Sequence, residues 1–329
     1  MKRLTRIAWL ALAVAGCDEP NVPDPYDLDF DIPRTEAFAP SLSAYGIYEE
    51  PLASLQPAAG VVPYELSSEL FTDYASKQRL LKLPEGSRIA ASNNATMAFP
   101  EGTILAKTFY YPEDLREPDG PRRVIETRLL VKTDGLWNVA TYQWNDEQTA
   151  ATLLLGGATT AVSWTTAQGQ SMAIDYEIPH EGECVTCHQS NESAVFIGPT
   201  PRNLNRSVTR SGEEVNQLAY FSAEGLLDGM DWTLAPATPD YTNTGHSLKV
   251  RARAYMDVNC AHCHNPTGWE DAEGAELDLR YQTRFGQTGI TDELDDLESR
   301  LESGEMPYLG TTILHDEGVD LVMDYLSTL

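Results

Sequence analysis

The spacing of hydrophobic positions along the chain changes near Pro179. Ahead of it, Thr103 to Tyr111, Arg123 to Val131, Leu136 to Trp144, Thr159 to Thr165 and Met172 to Ile178 are short runs rich in β-branched and aromatic side chains. Gly, Pro and Asn punctuate them, and the pattern predicts strands. Thr133-Asp134-Gly135 separates two of these runs, and an Asp-Gly pair in that place favours a tight hairpin. Several such strands in succession predict an antiparallel sandwich or a partly closed barrel, with Trp137, Trp144 and Trp164 as its core and rim aromatics. Behind Pro179 the apolar positions take helical intervals. Helices are predicted over Glu213 to Glu224, Leu248 to Asn259, Asp292 to Ser303 (Leu294, Leu297 and Leu301 on one face, Gly304 as the stop) and Asp316 to Leu329. The expected fold class is α+β and multidomain: an N-terminal antiparallel β domain over 45–180, then a mainly α-helical region in two segments, 181–245 and 246–329.

The first residues read differently. Lys2, Arg3 and Arg6 precede an apolar run, Ile7 to Ala15, too short to span a bilayer, which is the pattern of an export signal. It ends in Val14-Ala15-Gly16-Cys17, which resembles the bacterial lipobox. The resemblance implies that residues 1–16 are removed and that Cys17 carries a lipid anchor. Residues 17–44 are rich in Asp and Pro and predict an extended acidic tether, with no packed core before about Tyr45. The expected location is the periplasmic side of a membrane or the cell surface. Charge narrows the partners further. With 50 Asp and Glu against 23 Lys and Arg, a net charge of -27 argues against nucleic-acid binding and leaves lipid, not electrostatics, to hold the chain on a membrane. A hydrophobic fraction of 42% separates it from disordered acidic chains.

Five cysteines are present, and the four beyond Cys17 form two copies of one motif, Cys184-Val-Thr-Cys187-His188 and Cys260-Ala-His-Cys263-His264. That spacing sets two thiols to add across the vinyl groups of one haem while the adjacent histidine reaches the iron. Two covalent c-type haems are therefore expected, and export agrees with them, because such attachment is completed outside the cytoplasm. Other uses of paired thiols stay open: one zinc shared between motifs that stand much further apart than ribbon ligands do, or redox-active dithiols.

Several resemblances extend this reading. Lys249 to Leu329 resembles class I cytochrome c, in which a helix precedes the haem motif, a loop delivers a methionine and a last helix packs back; this implies His264 and Met306 as axial ligands of haem 2. Met230 follows Cys184 at the same interval as Met306 follows Cys260, which makes it a candidate distal ligand of haem 1, with His246 and His180 as others. His315 is expected at the surface, and His262, inside its motif, is expected to point away from the iron. Phe99 to Lys107 (FPEGTILAK) resembles a stretch of hydroxylamine-oxidising c-type cytochromes that carry a lysine-to-haem cross-link, which implies that Lys107 faces haem 1 as a candidate catalytic residue. Arg202 and Arg206, in the loop after the first motif, are candidates for a haem propionate. The mature chain also resembles a family of bacterial di-haem c-type cytochromes through ETRLLVKTDGLWNVATYQWN, GPTPRNLNRSV, RARAYMDVNCAHCHNPTGW and SGEMP.

These features favour an exported, membrane-anchored di-haem cytochrome that passes single electrons between redox partner proteins. Two alternatives stand beside it. One is a haem enzyme that acts on hydroxylamine-like molecules or peroxide at haem 1, with haem 2 as the electron exit; the other is a non-redox binding protein stapled by metal.

Overall fold

The computed structural model describes residues 38–92, 97–190, 193–268 and 276–329. The expected signal sequence, Cys17 and most of the expected tether lie outside the described residues. In chain order the strands begin with β1 (Val61–Pro63), β2 (Ser76–Lys82), the short β3 (Ile89–Ala91) and β4 (Met97–Ala98), then β5 (Ile104–Pro112), β6 (Arg122–Thr133), β7 (Leu136–Trp144) and β8 (Ala151–Leu154). Six of them form one antiparallel sheet in the order β1-β2-β5-β6-β7-β8. The Asp134-Gly135 turn joins β6 to β7 as its sequence predicts: both residues take positive φ, 53° and 81°, the backbone that suits a two-residue hairpin.

Strand alternation divides the side chains between two apolar faces. Leu80, Ala106, Leu129 and Ala140 stand in one cross-strand row and belong to one core cluster. Leu81, Leu105, Leu130 and Val139 form the neighbouring row, on the opposite face. The first face is covered by the chain that leads into the sheet. Phe38 and Leu42 are 8% and 1% exposed, Ser41 bridges to Thr152, and the Tyr142 hydroxyl donates to the Ala39 carbonyl at 2.8 Å. Packing thus starts by Phe38, earlier than the boundary near Tyr45 read from the sequence. The apolar residues there are too widely spaced to register as a run, yet each finds the same sheet face.

The second face has zones. At one end Leu81, Leu105, Leu130 and Trp137 pack with Leu204, Leu218, Phe221 and Leu227. At the other a β-bulge between Phe109 and Tyr110 leaves Ile125 as an extra residue, so that Phe109, Tyr111 and Ile125 share one cluster. The hairpin of β9 (Ala158–Thr165) and β10 (Ser171–Ile178) covers them with Val162, Trp164, Tyr176 and Ile178. A buried hydrogen bond of 2.7 Å from the Tyr176 hydroxyl to Glu126 pins that hairpin to the sheet. Between the two ends runs a polar row, Arg79, Lys107 and Arg128, each directly opposite the next.

The remaining elements among the described residues are small strands, six α-helices and a few short 3-10 turns. After β10 come α1 (Glu181–Cys187), β11 (Gln189–Ser190), β12 (Ser193–Ala194), α2 (Pro201–Leu204), β13 (Ser207–Arg210), β14 (Glu213–Asn216), α3 (Gln217–Ala223) and β15 (Leu227–Asp228). The helix expected from Glu213 therefore begins four residues late. Ser211 and Gly212 both take positive φ and turn the chain into the β13–β14 hairpin, and the Asn216 side chain caps α3 by accepting from the Leu218 and Ala219 amides. Helices α4 (Leu248–Asn259), α5 (Leu294–Ser303) and α6 (Asp316–Leu326) fall close to their expected places, and α5 ends on Gly304 in the left-handed conformation. Ala252, Tyr255 and Met256 of α4 pack against Leu321, Val322, Tyr325 and Leu326 of α6. A Cβ at Gly318 would stand 2.3 Å from the Tyr255 ring, so glycine is what admits α6 this close. No helix among the described residues is long and apolar enough to cross a membrane.

The segment ahead of β2 fastens the helical part to the sheet: the Phe71 amide donates to Asn259, the Tyr74 hydroxyl to Glu317, and Asp73 makes the most bonds. Asp73 Oδ1 accepts from the backbone amides of Thr312 and Ile313 at 2.8 and 3.0 Å, while the Tyr111 hydroxyl donates to the Asp73 carbonyl at 2.7 Å. Replacing Asp73 by Ala strands two amides and should cost about 1–3 kcal/mol in urea unfolding. Asp73→Asn keeps an acceptor oxygen and tolerates the positive φ of 47° found there, so it should cost less. Equal stability of Asp73→Ala and the unsubstituted protein would remove the fastening role.

Candidate functional site

A cavity of about 830 Å³ lies over the middle of the second sheet face. That volume suits an enclosed cofactor or ligand of moderate size, for which pockets run to about 300–1,000 Å³. Its floor includes Leu105, Lys107, Arg128 and Leu130, and its walls come from the β9–β10 hairpin, α1, α4, α5 and the chain around 306–311. Both Cys-x-x-Cys-His motifs face it: Cys184, Cys187, His188, Cys260, Cys263 and His264 all line the cavity, together with Met306. Residues far apart in the sequence are thus brought to one enclosure.

Local structure sets each motif. α1 carries Cys184 and Cys187 three residues apart, one turn along the helix, and leaves His188 just past its end. His180 begins this helix. Its Nδ1 accepts from the Gly182 amide at 3.1 Å, and Glu183 closes the capping box by accepting from the His180 amide at 2.9 Å. The imidazole is therefore engaged as a cap, a use the sequence reading of His180 as a distal ligand did not foresee. The second motif follows α4 directly, with the Cys260 amide donating to Met256 and the His264 amide to Cys260, each at 2.9 Å.

The two histidines differ in their support. His188 Nδ1 lies 2.8 Å from the Val195 carbonyl. A carbonyl only accepts, so the proton sits on Nδ1 and the Nε2 lone pair is left for another partner, the arrangement usual for a metal-binding imidazole. Burial pushes its pKa down to about 4, which keeps the ring neutral. His264 Nδ1 is buried and has no hydrogen-bond partner among the described residues, and burial lowers its pKa as well. The four cysteines carry free thiols. Burial raises Cys184 to about 11 and Cys260 to about 12.

Cys187 and Cys263 meet. Their sulfurs and a ring nitrogen of His262 all lie within 4.8 Å of one another. The hydrogen bond between the two thiols, helped by one from His262, holds the Cys187 pKa well below the ordinary thiol value and pushes that of Cys263 up. His262, a variable position inside its motif, thereby joins both motifs. Cys184 and Cys260 stand outside this group, so the four thiols do not assemble a single tetrahedral zinc site.

Met306 is half-buried on the cavity wall near Leu297 and Leu301, and its amide donates to the Arg300 carbonyl at 3.3 Å. Other candidates fall elsewhere. Met230 is half-buried against the apolar cluster of Leu218 and Phe221, His246 is exposed, and neither lines the cavity. Arg202 donates to Gln282 and lies over the Tyr281 ring, while Arg206 donates to the Leu66 carbonyl; these two also stand off the cavity. His315 is not a surface residue. It stacks on Phe71 at 4.2 Å and its Nδ1 lies 3.1 Å from the Tyr255 hydroxyl, because the aromatic side chains around it give the ring a flat slot. Arg128, Glu126 and Tyr176 belong to the site surroundings and were not singled out in the sequence; their only signal is the register that puts Arg128 opposite Lys107.

The residues present fit a covalently held haem on three counts: thiols three apart at the cavity edge, an imidazole with its tautomer fixed, and a second imidazole whose buried nitrogen has no partner among the described residues. No family model, no curated protein and no solved structure matches the chain.

The contact between motifs makes a chemical prediction. Haem-free protein treated with the thiol oxidant diamide should give a Cys187–Cys263 disulfide first, seen by mass spectrometry as a cross-link between the two motif peptides. Disulfides confined within each motif would show that the two thiols do not meet in solution.

Proposed function

We propose that the chain is a di-haem c-type cytochrome that transfers single electrons. The observation that supports it most is the convergence of two separate Cys-x-x-Cys-His motifs and Met306 on one enclosure. In this reading Cys184 and Cys187 hold one haem through thioethers, and Cys260 and Cys263 hold the other, with His188 and His264 as axial ligands. Haem iron, when bound, supplies a one-electron couple whose potential follows its ligands and burial. The rest is the work of this chain's own residues. The Val195 carbonyl orients His188, and burial keeps both imidazoles neutral and ready to ligate. Met306 offers the thioether for the second iron, as the resemblance to class I cytochrome c implies. In this reading the helical part is a cytochrome c region and the β part a sandwich. Export and a lipid anchor at Cys17 belong to it too, and agree with a haem attached outside the cytoplasm.

A second reading has its own observation. Lys107 lines the cavity, as an enzyme that works on a small molecule beside haem 1 would need. Redox partner proteins serve either reading.

Purified protein should give two haems per chain in a pyridine haemochrome assay, and Cys260→Ser with Cys263→Ser should give one. A count of zero or one in the unsubstituted protein would end the proposal. Met306→Ala should turn one iron high-spin and lower its potential, because a thioether favours the ferrous state. An unchanged low-spin spectrum would remove Met306 from the iron.

A further inference from the structure

Lys107 is the middle of three cations on adjacent strands. In the register of β2, β5 and β6 it is directly opposite Arg79 on one side and Arg128 on the other. Like charges so placed destabilise a sheet unless something answers them. For the outer two, something does. Arg79 holds Glu69 through two hydrogen bonds of 3.1 Å, and Arg128 holds Glu126 at 2.9 and 2.6 Å. The middle cation lacks such a partner: among the described residues no carboxylate oxygen comes within 4.0 Å of Lys107 Nζ. What it has is the face of Phe109, 4.8 Å from the ring centroid, a ring that Arg128 also uses at 4.6 Å. Burial, followed by the charges of Arg79, Lys77 and Arg128, pushes the Lys107 pKa well below the ordinary lysine value. The carboxylate whose charge acts on it most is Glu69, which Arg79 already binds at both oxygens.

The arrangement is costly to the fold, and it faces the cavity. Lys107 and Arg128 both line the floor, and both act electrostatically on the first motif, Arg128 on Cys184 and the pair on His188. In a chain of net charge -27, a buried lysine amine beneath this cavity, with no carboxylate beside it, is a feature that a negative ligand would answer, because a bound anion restores the proton that burial and the neighbouring cations disfavour.

We propose that Lys107, flanked by Arg128, is the centre of an anion-binding site on the cavity floor that takes one carboxylate or one small monovalent oxyanion beside the first motif. The same chemistry has two sources. One is a propionate of the haem held by Cys184 and Cys187, and for that source the inference rests on the haem reading; the other is a free anion of the size of nitrite or formate. Arg128 contributes field more than hydrogen bonds, because Glu126 occupies two of its donors. Protonated together with the anion it binds, Lys107 has three ammonium donors to give.

The test compares the full-length protein with Lys107→Met and Lys107→Arg, after a haem count on each, so that a failure of the haem reading shows separately. Sodium nitrite is titrated calorimetrically at constant ionic strength, and the midpoint potentials are measured. If a free anion fills the site, the unsubstituted protein and Lys107→Arg bind nitrite and Lys107→Met binds it roughly tenfold more weakly or not at all. If a propionate fills it, no variant binds nitrite, Lys107→Met lowers the potential of one haem, and Lys107→Arg restores it. The calorimetric arm stands even if the protein carries no haem. A Lys107→Met protein that matches the unsubstituted one in both nitrite binding and potential overturns the site, including when it has merely lost stability. Should Lys107→Met fail to fold, Lys107→Gln carries the same comparison.

Discussion

A sheet whose strands send apolar side chains to both faces cannot leave either face in water, and in this chain no single element is large enough to cover both. The division of labour that results shapes everything else. Residues from Phe38 to Val61 close the first face. The second is closed piecemeal, by α3 and its neighbours at one end and by the β9–β10 hairpin at the other. The gap between the two covers is where the floor turns polar, and there the two cysteine motifs and Met306 converge. The cavity is therefore a product of how the sheet is covered, and the helical part supplies its remaining wall.

Polar groups at this gap are held in place by a few buried bonds. Glu126 is fully buried and takes both the Arg128 guanidinium and the Tyr176 hydroxyl, so one carboxylate fixes the hairpin, a central strand and the cavity floor together. Such a network is costly to break, because each member left alone would keep its desolvation cost without its partner. Across the cavity, the Val195 carbonyl does for His188 what Glu126 does for Arg128: it limits the side chain to one orientation and one protonation state.

Much of this was legible in the sequence, for reasons that can be named. The long strands carry β-branched and aromatic residues with a clear turn between β6 and β7, and α4 to α6 show helical spacing with good stops, so local signals and tertiary packing agree. The cysteine motifs were legible because their chemistry is written in adjacent residues. Three things were not. The early start of the core at Phe38 depends on contacts with distant strands. The switch at Asn216 from strand to helix depends on a turn at Ser211-Gly212 that competes with helical spacing further on. Histidines were the hardest: His180 caps a helix, His315 lies between aromatic rings and His262 joins two motifs, yet all three look alike in a sequence. Equal spacing does not bring equal placement: Met230 repeats the interval of Met306 but packs with Leu218 and Phe221, off the cavity.

The short stretch that carries Met306 is anchored at both ends. Its leading end is held where the Met306 amide reaches back to Arg300 and Gly304 ends α5, and its trailing end where Asp73 grips Thr312 and Ile313. A segment tied down on both sides behaves as an arch more than as a flap. Its thioether is kept at a high effective concentration over the cavity, so a bond made by that sulfur would re-form far faster than an untethered competitor could take its place. Separating it for good would require undoing the bond to Asp73, on the far side of the molecule's seam between sheet and helices.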